Sequence, residues 1–408
     1  MDKMKKIRVL FRWSGYNHYT LSALIGLLDE RLSSRKFEID TVDSLKGIVR
    51  ASKDAAAATV IAYSFATPQF AKVKTEIKKV RRALGSKVII ICGGPHTSAL
   101  PESALTAGAD IAFVGESEES LPCFLEALYR SKDQALKNRI ITPLPLKHLD
   151  SYPPFAHKRR FYAPIEIRRG CRNRCSFCQT PGIFQDIKER TPGCVIRYAD
   201  ILKKTGGERI LFTAPDALSY GAKGGGVDIK IITKLLNEIH KIGIAINFGN
   251  FPSEISPNRL VRSPEAASVL KRYVRNSGIF LGGQSASGRI LRSMRRDHTV
   301  QDTVDAVRIL RNAGFTPIVD ILLGFPAETR LERLKTMRFI ASLAKQYRAR
   351  FNLHYFIPLP GTPLYGAKPE PIKDDIKNAL LRLIRSGTAT GDFFGQLKLA
   401  NRHPAGSF

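Results

Sequence analysis

The chain is short of acid, of cysteine and of long apolar runs, and each shortage narrows what it can be. No stretch approaches the ~20 consecutive apolar residues that a membrane-spanning helix needs, so no span is expected. The basic start, Met1 to Lys6, is followed only by the apolar run Ile7–Phe11, too brief for the core of a secretory signal. The expected location is the cytoplasm. Neither an internal repeat nor a low-complexity tract is found. Six cysteines in 408 residues, three of them within eight positions, do not make the disulfide framework of a small secreted chain.

Asp and Glu number 36 against 65 Lys and Arg, a net charge of +29. The basic residues are spread (Lys72–Arg82, Arg168–Arg174, Arg289–Arg296) and no long basic tail stands out. Such a field draws polyanions, RNA among them, and suits an anionic substrate. Charge alone gives only non-specific attraction, and an evenly basic surface is the plainer reading.

What is present is a globular balance, 43% hydrophobic and 25% charged. The length predicts two domains. Over residues 1–140, apolar strands (Ile7–Phe11, Phe37–Asp40, Thr59–Tyr63, Lys87–Cys92, Ile111–Val114) alternate with amphipathic stretches such as Leu21–Arg31 and Phe70–Leu84. That alternation predicts an α/β, doubly wound, Rossmann-like parallel sheet, whose ligands sit at the carboxyl ends of the strands. Residues 141–160 hold Pro143, Pro145, Pro153 and Pro154 and read as a linker or strap. A second series of six strands follows over 161–365: Ala163–Arg168, Arg209–Thr213, Ile244–Phe248, Ile279–Leu281, Pro317–Leu323 and Phe351–Ile357. Six such units predict a partial TIM-like (β/α)6 barrel with its chemistry at the carboxyl ends of the strands. A helix and a Gly-rich tail are expected over 366–408.

The three clustered cysteines follow the first barrel strand: Cys171, Cys175 and Cys178, spaced C-x3-C-x2-C. Three thiolates on one loop can hold three irons of a cubane and leave the fourth iron open, where ordinary clusters use four cysteines. The alternative is a zinc ion with a fourth ligand from elsewhere, His157 being a candidate, although structural zinc usually pairs two short motifs and no second one exists.

In this spacing the chain resembles the radical S-adenosylmethionine (SAM) superfamily, over about residues 163–361. Phe177, between the second and third cysteines, matches an aromatic packed near the adenine. Phe-Thr-Ala-Pro-Asp, ending at Asp216, resembles the segment that receives the SAM amino group in methylthiotransferase-like and cobalamin-dependent members. The literal Gly206-Gly207-Glu208 precedes its strand and is not read as the family's functional motif. Glu254 is placed at the barrel mouth, where the plain alternative is a loop carboxylate. The run from Gln284 and Ser285 to Arg296 resembles the family's Q-S…M-x-R segment, with Arg296 near the SAM carboxylate. Gly324, in Gly-Phe-Pro-Ala-Glu-Thr, would let backbone approach the adenine, or is simply a strand-end turn. Pro-Leu-Pro-Gly-Thr-Pro, 358–363, is a familiar ending of the subgroup.

The N-terminal part resembles the cobalamin (B12)-binding domains fused to such barrels. The match lies in Ile-Cys-Gly-Gly-Pro-His, 91–96, and Val-Gly-Glu-Ser-Glu, 114–118. It implies Gly93, Gly94, His96, Gly115 and Glu116 at the corrinoid, with Ser64 near its lower base; a generic doubly wound domain is the alternative. His18 lies where such domains can carry a cobalt ligand, but lacks the flanking Asp and Gly of D-x-H-x-x-G and is not read as an axial ligand. Cys92 and Cys123 read as small apolar residues and Cys194 as an inert thiol.

The resemblance implies a 4Fe–4S cluster, SAM and cobalamin as cofactors, and a ferredoxin- or flavodoxin-type electron donor as partner. The implied reaction is SAM cleavage to a 5′-deoxyadenosyl radical and methyl transfer to an unactivated carbon. A tRNA methylthiotransferase-like enzyme is the alternative, and the charge suits it. Those enzymes carry three further N-terminal cysteines, where this chain has two, and usually a C-terminal RNA-binding barrel, for which the tail is short. A non-enzymatic iron–sulfur or corrinoid sensor is the third reading.

Overall fold

The computed structural model describes residues 6–53, 58–146 and 148–402. The basic start before residue 6 and the end of the tail, 403–408, lie outside the described residues. The chain divides into two compact units, one running to Pro164 with Gly182–Gln185, the other holding Ile165–Pro181 and the chain from Asp186.

The first unit is built on a six-stranded parallel sheet: β1 (Ile7–Arg12), β2 (Phe37–Val42), β3 (Ala58–Ser64), β4 (Val88–Gly93), β5 (Ile111–Phe113) and β6 (Ile140–Ile141). Their spatial order is β2-β1-β3-β4-β5-β6. Apolar runs form β3, β4 and β5 because both faces are covered, whereas the edge strand β2 alternates. Val9, Phe11, Val60, Ala62, Ile89 and Ile91 feed one core, with Leu121, Phe124 and Leu125 of the helix Ser120–Arg130. Ile61, Tyr63, Val88, Ile90 and Cys92 feed the other, with Phe70, Val73, Ile77 and Val80 of the helix Phe70–Leu84. That last spacing is one helical face. The order reverses between β1 and β3, the switch point at which sheets of this kind bind ligands.

Residues 141–160 pack as a strap within this unit. Leu149, Tyr152 and Phe155 are buried. The Phe155 carbonyl lies so close over Gly26 that a Cβ there would stand 2.7 Å away. Arg159 clamps Asp29 with two hydrogen bonds, 2.7 and 2.6 Å. Proline in the sequence marked irregular backbone correctly but said nothing of this packing.

The second unit is the partial barrel. Its parallel strands are β7 (Ile165–Glu166), β10 (Arg209–Thr213), β11 (Ala245–Asn247), β12 (Gly278–Gln284), β13 (Thr316–Leu323) and β14 (Arg350–Tyr355). Order β11-β10-β7 forms one sheet and β12-β13-β14-β15 the other, with the bridge Ile255↔Leu281 next to β12. Two features escape the sequence reading. A small antiparallel hairpin, β8 (Arg168–Arg169) with β9 (Lys188–Glu189), closes the cysteine loop. A seventh parallel strand, β15 (Ala389–Thr390), follows the helix Asp374–Arg385 and pairs with β14. Two-residue strands carry no periodicity to read.

Candidate functional site

The cysteine loop is held at both ends. Arg168, 5% exposed, ion-pairs with Glu189 and donates to the Ser219 carbonyl at 2.7 Å. Gly170 has φ +80°, and a Cβ there would meet the Asp186 carbonyl oxygen at 2.6 Å, so the turn into Cys171 requires glycine. Farther on, the Ser176 N–H donates to the Met294 carbonyl and its hydroxyl to that of Ser293, both at 3.0 Å. The Cys178 N–H donates to the Cys175 carbonyl at 3.1 Å.

Cys175 is buried, and Cys171 and Cys178 are half-buried. Burial pushes the Cys171 and Cys175 thiols up, and each thiol feels the other cysteines. The Arg296 guanidinium opposes this at Cys175, with Nη1 3.4 Å from its Sγ. Among the described residues no three His, Cys, Asp or Glu side chains converge as a single ion needs. One tetrahedral zinc needs thiolates roughly 4 Å apart; a cubane, with its irons between the sulfurs, takes a wider triangle. Three thiols in electrostatic reach of one another, with a buried cation on the innermost, fit a cluster of that kind.

The barrel interior brings Arg296, Glu254 and Gln284 together. Gly282 marks the place: a Cβ there would meet Arg296 Nη2 at 2.9 Å, Glu254 Oε2 at 3.1 Å and Gln284 Nε2 at 3.3 Å. Arg296 Nη2 donates to the Gly282 carbonyl at 2.8 Å, while its buried Nε has no partner. Gln284 reaches inward from a left-handed backbone, φ +65°, at a break in the β12–β13 register. Positive φ in a residue other than glycine is strain of the kind that collects at functional sites. Glu254 is raised to about 8, by burial first and then by the charge of Asp320, with Arg296 opposing.

That shift gives a pH prediction. The folded chain holds the Glu254 proton up to about pH 8, whereas unfolded chain releases it near the ordinary value of 4.5. Between these the folded state binds more protons, so stability falls as pH rises. Glu254→Gln removes that contribution. The urea midpoint of cluster-free protein should fall less between about pH 5 and about pH 8 in the variant; parallel curves would contradict the account.

Three further residues sit otherwise than the resemblance implies. Asp216, 3% exposed, is locked to buried Arg259, which also reaches the carbonyls of Gly225 and Gly226. It also takes the Ser256 N–H at 3.3 Å, and nothing in the sequence announced Arg259. The Ser285 hydroxyl accepts the Ser287 N–H at 3.1 Å, a local turn bond. Gly324, at φ +76°, is dictated by protein: a Cβ would strike the Tyr355 ring at 2.2 Å. Phe177 lies against Ile290, Met294, Leu322, Phe325 and Phe356.

In the first unit, Ser64 and Gly93 are ladder partners at the carboxyl edge. A Cβ on Gly93 would meet only Phe113, at an ordinary 3.8 Å, so this small-residue edge is open to a flat ligand and fits a corrinoid. Gly94 and Gly115 are needed by the fold itself, against Phe65 and Pro143. The Gly115 N–H donates to the Ser98 hydroxyl at 2.9 Å, joining the loops after β4 and β5, and Glu116 follows in that loop. Asn17 ties the switch point, donating to the carbonyls of Arg12 and Ser64 at 2.9 and 3.0 Å. His96 is fully buried, its ring nitrogens on Thr67 and Ser103 hydroxyls at 3.1 and 2.9 Å and its face on Phe70 at 4.1 Å. Burial lowers it to about 4, and no ring nitrogen is left for a ligand. His18 begins the helix His18–Arg31, whose Leu21, Ile25 and Leu28 pack in the core, with Nδ1 on the Gly15 carbonyl.

Comparison with known proteins agrees with this architecture. Residues 165–340 match the family model of the Radical SAM superfamily, and residues 27–125 that of the B12 binding domain. Among curated relatives, an uncharacterised protein of Methanopyrus kandleri is 24% identical over 70% of this chain and 64% of its own. A tRNA-2-methylthio-N(6)-dimethylallyladenosine synthase of Leifsonia xyli is 28% identical over 63% of this chain and 48% of its own. The chain thus spans about half to two thirds of these relatives' length. Among solved structures, the radical SAM methyltransferase TsrM of Kitasatospora setae, with cobalamin and cluster bound, aligns at TM-score 0.67 and 16% identity, over 88% of this chain and 77% of that one. The cobalamin-dependent radical enzyme OxsB aligns at TM-score 0.61 and 13% identity, over 99% of this chain and 57% of that one. At such identities the likeness is one of fold. The radical SAM domain implies SAM and a 4Fe–4S cluster, and the B12-binding domain implies cobalamin. The chain thus carries a radical SAM domain over residues 165–340, preceded by a B12-binding domain over residues 27–125.

Proposed function

We propose that this enzyme is a cobalamin-dependent radical SAM methyltransferase acting at an unactivated carbon. The observation that carries it is the pairing, in one chain, of the Cys171–Cys175–Cys178 loop backed by Arg296 with the open switch-point edge at Ser64 and Gly93. When bound, the cluster with SAM supplies a hydrogen-abstracting radical and the corrinoid supplies the methyl group. The chain's own residues bind, orient and shield. Arg296 compensates the charge on Cys175 and offers its unpartnered Nε to the SAM carboxylate. Phe177 and its apolar neighbours keep water from the adenine side. Glu254 and Gln284 complete a polar wall over Gly282. Asp216, bound to Arg259, acts by holding the loop that carries Ser256.

The named relatives favour a second reading, methylthiotransferase chemistry. Its N-terminal cluster finds little support here: Cys92 is buried in the sheet core and Cys123 is exposed on the helix Ser120–Arg130.

The test is anaerobic reconstitution with iron, sulfide and cobalamin, followed by SAM and a strong reductant. The expected result is 5′-deoxyadenosine, the iron of a single cubane and a retained corrinoid. No 5′-deoxyadenosine under several reductants overturns the enzyme reading. Loss of corrinoid with SAM cleavage intact leaves radical chemistry without this methyl donor, and the iron of two cubanes favours the second reading.

A further inference from the structure

The last two long barrel strands carry a polar cluster that the assignments above do not use. Asp320 pairs with Asn352, and Leu322 with His354, across the β13–β14 ladder. Partners in a parallel ladder point to the same face, and residues two apart share it. A Cβ on Gly283 would strike Val319, the neighbour of Asp320, and Thr303 of the helix Val300–Asn312 outside the sheet, so Asp320 faces the opposite way, into the barrel. Asp320 Oδ1 accepts from Asn352 Nδ2 at 2.5 Å and lies 3.2 Å from His354 Nε2. Gln396, on the helix Phe393–Arg402, fixes the imidazole. Its Oε1 accepts the Tyr355 N–H at 2.7 Å, which leaves its amide NH2 on His354 Nδ1 at 3.4 Å. Asn352 Nδ2 also lies 2.9 Å from His354 Nε2, so Asp320, Asn352 and Gln396 together fix the imidazole.

The other oxygen, Asp320 Oδ2, is buried and has no partner, on a side chain 2% exposed. Beside it lies the Glu254 carboxyl, which burial and Asp320 keep protonated and hydrogen-bonded to Asp320, while the two terminal nitrogens of Arg296 are taken by Cys175 and Gly282. A buried carboxyl pair that must share one proton, with no N–H donor on Oδ2, is costly, and native chains keep such groups where a ligand completes them. His354 keeps 33% side-chain exposure, so the cluster opens to solvent.

We propose that Asp320, with Glu254 beside it, is a subsite for a protonated amine carried by the substrate, and that Gln396, His354 and Asn352 hold it aimed. The proposal rests on the barrel being the substrate chamber. An ammonium supplies what the site lacks, positive charge and several N–H donors, and takes the place of the proton that Asp320 keeps on Glu254. The net charge of the whole chain, +29, attracts anions, whereas this chamber selects a cation. Asp320 and Glu254 would contact the substrate; His354, Asn352 and Gln396 are positioning residues.

SAM also carries an ammonium, so the experiment separates the two sources. Cluster-free full-length chain is titrated calorimetrically with phenethylammonium and with its neutral mate 2-phenylethanol, in two buffers of different ionisation enthalpy. Wild type should prefer the amine by roughly tenfold or more, as for a buried charge pair, and release a proton near neutral pH. Asp320→Asn should erase the preference. Glu254→Gln should weaken it and abolish proton release, which keeps the test alive should Asp320→Asn not fold. In Gln396→Leu the amine preference should shrink, and nitrogen-15 NMR should show the His354 ring nitrogens shifted from their wild-type positions. SAM affinity of the reconstituted Asp320→Asn and Gln396→Leu proteins should stay within about twofold. Equal binding of amine and alcohol, or a preference that survives Asp320→Asn, overturns the proposal. A parallel loss of SAM affinity assigns the pair to SAM itself and also overturns it. Because amine binding is read without cluster or SAM, failure of the radical reading would show separately, as absent 5′-deoxyadenosine.

Discussion

Cys175→Ala protein, reconstituted anaerobically, should lose most of its cluster iron and cleave SAM more than roughly 10³-fold slower than wild type. Removing a group that only supports a metal ligand typically costs about 10- to 100-fold; removing a ligand costs more, because the thiolate is both bond and charge. Cys175 is the sharpest of the three to test. It is 7% exposed, and its Sγ faces Arg296, so no water or surface side chain can substitute easily. Arg296→Met should keep the iron and fall in the smaller range. Cys123→Ser, on an exposed helix position of the other unit, is the control and should match wild type. Unchanged iron in Cys175→Ala would refute the cluster assignment.

Asp216→Ala should destabilise the chain by about 3–5 kcal/mol, the usual cost of stranding one member of a buried ion pair. Both side chains are under a tenth exposed, and Arg259 would keep its charge with only the Gly225 and Gly226 carbonyls to face. The double change Asp216→Leu with Arg259→Met should recover much of the loss, because it removes both desolvated charges. Urea unfolding followed by circular dichroism reads both. A single variant within about 0.5 kcal/mol of wild type, the range of ordinary surface changes, would show that the pair is not the structural anchor argued here. If Asp216 instead met the SAM amino group directly, SAM affinity would fall further than stability accounts for.

The longer strands of both units were legible because buried parallel strands are continuous apolar runs, and helices such as Phe70–Leu84 because their apolar spacing is regular. The cysteine triplet was legible because its spacing is a chemical requirement. Arg259 was not, because a buried arginine looks like any other in a chain with 65 basic residues. Nothing in the sequence singled out Asp320; its partners Asn352 and His354 lie 32 and 34 positions along, and Gln396, which holds His354, 76. The glycines divide instructively. Gly324 and Gly94 look like ligand cradles in sequence, yet Tyr355 and the Phe65 backbone already occupy the space that a Cβ would take. Gly93 alone of the three keeps an open face.

By itself the sequence determined what short-range chemistry can write: two α/β units and three thiols on one loop after a strand. Periodicity and spacing are local, so they survive in a linear string. Only the tertiary structure decided which charges meet. It gave Asp216 to Arg259, set Arg296 on Cys175, closed both nitrogens of His96, and aimed the free oxygen of Asp320 into the barrel. Those outcomes depend on burial and on partners distant in the chain, where a few ångströms choose between an ion pair and an orphan.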